Sequence, residues 1–291
     1  MQLIKVSSWC SNLLLAGLTL LCGPTCAANP PMGDLPGGAI SASDMSDVAA
    51  EICRDHLLDP RAATLKLPSG YRLVLAGEAA IANRSLAAVL RASPQYASYA
   101  LGTLCFLSVG SFVVDGTPVH SVSPMPVAFW WASAAGPRHA DMRGKVEWVQ
   151  LGSWYPSDTQ HRAAILKTDP MAQFVEIDLN RPEPNSWRLR LVLAGETVEA
   201  EVRTSGQRRN RSVGAGPGYM SVPMSGGSAD YFSVYTYFGH ILQSAQGVWR
   251  TTGAGVFSDA LAIPNESSVF ETVFQEGWTS RSGLYRFVPQ Q

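Results

Sequence analysis

Residues 103–132 read TLCFLSVGSFVVDGTPVHSVSPMPVAFWWA, and the fold class turns on them. Asp115-Gly116 is a hairpin signal, so the stretch divides into two or three strands. Alternation places Cys105, Leu107, Val109 and Val113 on one face. Leu104, Phe106, Phe112 and Val114 fall on the other. Both faces are apolar. A strand with one wet side alternates, so this one predicts a wall covered on both sides, as in a barrel or sandwich.

To the N-terminal side, Lys5 precedes an apolar run, Leu13 to Leu21, and then Gly23-Pro24 and the small residues Thr25-Cys26-Ala27-Ala28. That order predicts a secretory signal peptide over 1–27 and a secreted or periplasmic chain. The apolar run is short for a membrane span, and no second one follows, so no span is expected in the mature chain. Cleavage leaves Cys53 and Cys105, which in an oxidising compartment either pair or remain two buried thiols. Asn83, Asn210 and Asn265 head glycosylation sequons, meaningful in a eukaryotic host.

Residues 28–60 read as a lead-in followed by a helix. Ser43-Asp44 is placed to cap it, Met45, Val48, Ala49, Ile52 and Cys53 form its apolar stripe, and Asp59-Pro60 stops it. His56 falls at its C-terminal end, where a histidine charge is favourable. Residues 61–291 read as one domain. Strands are expected over 71–75, 145–151, 174–179, 187–193, 197–202, 229–238, 241–249 and 255–263, with a short helix over 85–91. Trp154-Tyr155-Pro156 is read as a loop. A closing helix is expected over 266–276, ended by Gly277. The heptapeptide RLVLAGE occurs at 72–78 and again at 190–196, with unmatched flanks. The predicted class is α+β: a mostly antiparallel, β-barrel-like domain with an N-terminal and a C-terminal helix.

Charge excludes some functions. Lys+Arg number 22 against 23 Asp+Glu, so nucleic acid is not an expected partner. The basic, glycine-rich stretch 206–218 lacks the lysine and helix start of a phosphate loop and reads as a solvated loop. The five histidines are scattered and no CxxC is present, so no metal and no cofactor are expected. The Ser-Gly pairs lack the strand-elbow-helix setting of a hydrolase nucleophile. What remains is a pocket for a small-molecule ligand or substrate, with self-association allowed.

Tyr231, Ser233, Tyr235 and Tyr237 share one face of a strand. Such a face either lines a pocket that fixes a polar group or lies at the surface of an edge strand. Phe106 and Trp131 from the wall join Tyr231, Tyr235 and Tyr237 as candidate substrate contacts. Lysine is scarce: Lys66, Lys145 and Lys167 are the ones beyond the leader. A lysine desolvated in an apolar pocket can form a Schiff base with a ketone.

From Leu67 onward the order of elements resembles the acetoacetate decarboxylase-like β-barrel family. An early strand at Tyr71–Leu75, a short helix from Ser85 to Pro94 and the long wall strand from Thr103 follow its order. Gly218-Tyr219-Met220-Ser221-Val222-Pro223 is similar to the family's Asn-Tyr-hydrophobic-x-x-Pro segment. Trp249, Gly253 to Asp259, Pro264 and a helix with Val269 and Val273 are similar to its closing strand, proline and helix. The resemblance implies a lysine Schiff base that decarboxylates a keto acid or a polyketide-like substrate. Lys167, after Arg162 and before Phe174, falls where that catalytic lysine would stand. The family's Gly-x-Pro turn before the lysine has no counterpart here. Two alternatives accompany this reading: a non-catalytic carrier of an apolar ligand, and a lipocalin-like natural-product cyclase.

Overall fold

A computed structural model describes residues 38–61, 66–81, 84–119, 124–136, 147–211, 214–224, 227–238, 240–255, 257–258 and 272–286. Asp115 and Gly116 both have positive φ, 48° and 79°, the hairpin geometry the dipeptide signalled. They join β3 (Ala100–Val114) to the short β4 (Thr117–Pro118). The described strands form one 14-stranded mixed sheet, mostly antiparallel.

Its hydrogen-bonded path closes twice. One circuit runs through β1 (Ser41–Leu58), β14 (Trp278–Arg286), β11 (Gly227–Phe238), β10 (Gly214–Met224), β6 (Glu147–Pro156), β5 (Met125–Ala135) and β3. The other leaves β1 through β13 (Thr272–Glu276), β12 (His240–Gly253), β9 (Glu196–Arg211), β8 (Ser186–Leu193) and β7 (Ala172–Glu183), and returns by β6, β5 and β3. The shared wall is β1, β3, β5 and β6. This is why β3 is apolar on both sides: Leu104 and Phe106 face one interior, and Cys105, Leu107 and Val109 the other.

The second circuit is filled. Trp130 and Trp154 pack on Phe257, with ring centroids 5.0 and 5.5 Å away. Phe106 meets Trp249 at 6.0 Å and Trp187 meets Phe274 at 5.8 Å. His56 is buried in the shared wall, where its Nε2 accepts the Trp130 indole N–H at 3.0 Å. The ring lies against Gly102, where an added Cβ would sit 2.5 Å from Nε2. Gly102→Ala is therefore expected to lower stability by about 1–3 kcal/mol through overpacking, read as a shift in urea midpoint.

Among the described residues three α-helices decorate the sheet: α1 (Ala76–Ala79), α2 (Arg84–Ala92) and α3 (Arg162–Thr168). The last carries the crossover between the parallel neighbours β6 and β7. Among the described residues no helix is long and apolar enough to cross a membrane.

Several sequence expectations are corrected here. Residues 43–58 are not a helix but most of β1, paired with β3, β13 and β14. Ser43 caps nothing: its hydroxyl meets that of Ser282 at 2.8 Å, and Asp44 pairs with Arg281. His56 is a buried strand residue, not a helix-end charge. Phe112 and Val114 belong to the Cys105 side, because β3 changes face near Gly110, packed on the positive-φ Asp47. Trp154-Tyr155-Pro156 lies in β6, and stretch 206–218 contributes to β9 and β10. Of the expected closing helix, residues 272–276 are strand β13 and Gly277 turns the chain into β14; residues 266–271 lie outside the described residues, as does the leader.

Candidate functional site

Strands of the first circuit line an open-mouthed cavity of about 180 Å³. Successive turns of the pleat build it. Phe129 and Trp131 of β5 point inward, while Ala128, Trp130 and Ala132 between and beside them enter the filled interior. On β6 the register shifts opposite Trp130-Trp131, leaving Leu151 as an extra residue. That bulge reverses the alternation, so Trp148, Gln150 and Tyr155 all face the same cavity. From β10, Gly218 lets the Trp131 ring approach: a Cβ there would meet the ring at 2.8 Å.

The polar end of the cavity is Asp169, just past the last turn of α3. Burial leaves it 6% exposed. The Tyr155 hydroxyl donates to its Oδ2 at 3.0 Å, Gln150 Nε2 to Oδ1 at 3.2 Å, and the Met171 backbone N–H to Oδ1 at 3.2 Å. Desolvation raises the pKa of the Asp169 carboxyl above its usual value, against the pull of those donors. Tyr155 is raised well above the ordinary phenol range, first by burial and then by the neighbouring carboxyl. It therefore stays protonated and remains a donor. A buried carboxyl held by a phenol in an apolar cleft is a group that can give or take a proton from a small ligand.

β1 and β3 contribute a further part of the lining. Cys53 and Cys105, directly paired across β1 and β3, are joined by a disulfide of 2.05 Å. Glu51 Oε1 lies 3.4 Å from the Cys53 sulfur. Both sulfur-bearing residues and Glu51 line the cavity, as do Gln275, Trp278, Ser280 and Ser282.

The sequence-selected residues are distributed unevenly. Trp131 lines the cavity. Phe106 does not; it belongs to the filled interior. Tyr231 is half-buried away from the cavity lining, with the Arg286 guanidinium 5.2 Å from its ring. Tyr235 and Tyr237 stand on β11 opposite Ser282 and Ser280 of β14; their side chains lie outside the described set. Lys167 is exposed in the last turn of α3 and is not among the residues that line the cavity. Lys145, Asn83 and Asn265 lie outside the described residues, and Asn210 sits on β9 opposite Ile241.

Asp169, Tyr155 and Gln150 were not selected from the sequence. Gln150 had a signal, a polar residue inside the apolar run of β6. Asp169 had none, since Asp-Pro after a short helix is ordinary turn chemistry.

No known protein-family profile matches this chain. No curated protein matches it in sequence. Solved structures do. An acetoacetate decarboxylase from Legionella pneumophila is similar with a TM-score of 0.51 at 9% identity, covering 100% of this chain and 98% of its own. The enduracididine biosynthesis enzyme MppR complexed with pyruvate has a TM-score of 0.48 at 13% identity, covering 91% of this chain and 96% of its own. A second acetoacetate decarboxylase has a TM-score of 0.49 at 8% identity, covering 87% and 92%. What is shared with the Legionella enzyme is the fold, and the resemblance read from the order of elements stands at that level. The chain has an acetoacetate decarboxylase-like fold with a ligand-sized, open-mouthed cavity.

Proposed function

We propose that this chain is an exported protein that takes a small organic molecule into the closed circuit, read as a barrel, and presents it to the Asp169–Tyr155–Gln150 cluster. The observation that carries the reading is a buried carboxyl facing a largely apolar cleft. Size supports a compact ligand. An apolar cavity of about 150 Å³ holds benzene, so 180 Å³ suits a molecule of roughly six to eight heavy atoms. The chemistry such a site offers is proton transfer by Asp169, with Tyr155 and Gln150 orienting the carboxyl.

A lysine Schiff base needs an amine kept out of water, and exposed Lys167 is in water. Lys167→Ala is therefore expected to leave stability within about 0.5 kcal/mol of the parent, as for a surface substitution. It is also expected to leave ligand binding unchanged. Native mass spectrometry of the purified chain, with and without added small-molecule probes, reads occupancy. Asp169→Asn is expected to weaken binding of a probe that Lys167→Ala retains. Borohydride trapping of a ketone on Lys167 would restore the decarboxylase route and remove the acid–base one.

A further inference from the structure

The ionisable groups facing the cavity share one sign. Among the described lining residues they are the carboxyls of Glu51 and Asp169 and the protonated phenol of Tyr155. Five further aromatic side chains line the cavity, among serines, threonines, glutamines and smaller apolar residues. Phe112 stacks on Tyr155 with centroids 6.2 Å apart, Phe129 meets Tyr155 edge-on at 6.1 Å, and Trp131 follows 6.3 Å from Phe129. Trp148 and Trp278 add two more indoles.

We propose that the ligand of this cavity is a small organic cation of the alkylammonium class, seated against the aromatic faces with Asp169 and Glu51 supplying the counter-charge. This rests on the reading that the cavity takes a small molecule, and it names that molecule's class. Aromatic rings present a negative face, so a desolvated ammonium gains from several of them at once. The alkyl groups also bury apolar surface. The hydrogen bonds to Asp169 all come from donors, the set that suits an ionised carboxylate. Burial opposes that ionisation, and a cation in the cavity supplies what burial takes away. A keto acid brings the opposite sign. Its carboxylate would lose water beside two carboxyls, with no Lys, Arg or His among the described lining residues to receive it.

Trp131, Trp148 and Trp278 line the cavity, so intrinsic fluorescence reports occupancy. The chain is titrated with choline, with choline's neutral analogue in which carbon replaces nitrogen, and with pyruvate. Choline is expected to bind at least about ten-fold more tightly than the neutral analogue, and pyruvate most weakly. Glu51→Gln and Asp169→Asn are each expected to narrow the gap between choline and its analogue. Circular dichroism checks folding, and Glu51→Gln, at a half-buried position, carries the test if Asp169→Asn does not fold. Equal binding of choline and its neutral analogue, or tighter binding of pyruvate, overturns the charge preference and leaves the small-molecule cavity standing. Failure of all three probes to quench overturns both.

Discussion

Lowering the pH from about 6.5 to 3 is expected to remove roughly 4 kcal/mol of stability through one residue, His56. Its ring is 7% exposed, accepts the Trp130 N–H, and is held neutral by burial, which depresses its pKa from 6.5 to about 3. In the unfolded chain the same imidazole takes a proton near pH 6.5. Below that pH the unfolded state binds a proton that the folded state refuses, so stability is fully present above 6.5 and is lost progressively as pH falls toward 3. At pH 4.5 the loss should be about 3 kcal/mol. His56→Gln keeps an acceptor for Trp130 and cannot titrate. Its urea midpoint should therefore fall much less between pH 7 and 4.5 than the parent's. Equal slopes for parent and variant would show that His56 is charged in the folded wall or lies near water. Asp169 acts with the opposite sign. Its raised pKa means that the ionised carboxyl is the strained form, so its contribution to stability is present at low pH and declines as pH rises through the folded value.

The wall was legible from residues 103–132 because a strand covered on both sides leaves an apolar signature on both sides. The same property hid β1. Met45, Val48, Ala49, Ile52 and Cys53 satisfy helical spacing, yet β1 is buried on both faces, so its apolar residues need not alternate. A two-sided strand can imitate a helical stripe, and only the partners β3, β13 and β14 decide between them. The repeated RLVLAGE makes the same point with one heptapeptide. At 190–196 it ends β8 in a hairpin through Gly195, whose φ is 85°, and Glu196 accepts the backbone N–H groups of Phe257 and Ser258. At 72–78 it passes from the two-residue β2 into α1, and Glu78 binds Arg72 and the Leu75 N–H instead. Identical residues end in different elements because different neighbours receive the glutamate. The candidate site was obscured for a related reason. Gln150 and Tyr155 have opposite parity on β6 and reach one cavity only across the bulge at Leu151.

Removing the Cys53–Cys105 bridge should be the other large perturbation. The two positions are 52 residues apart in sequence, and closing a loop of that length restricts the unfolded chain by about 4 kcal/mol in the chain-entropy account. In the folded state the bonded pair sits in the long β1–β3 ladder, where the neighbouring pairs Ile52–Phe106 and Arg54–Leu104 hold the same register. The folded wall therefore loses little when the bond opens, and the loss acts mainly through the unfolded chain. Cys53→Ala combined with Cys105→Ala should accordingly lower the unfolding free energy by about 4 kcal/mol and widen the surface exposed on unfolding, seen as a larger urea slope. Reduction of the parent should give the same shift. Because both residues also line the cavity, an occupied cavity is expected to slow reduction by a small thiol relative to the empty one. A thiol count of two in the freshly isolated, unfolded chain, or an unchanged midpoint after reduction, would remove the bridge as a source of stability.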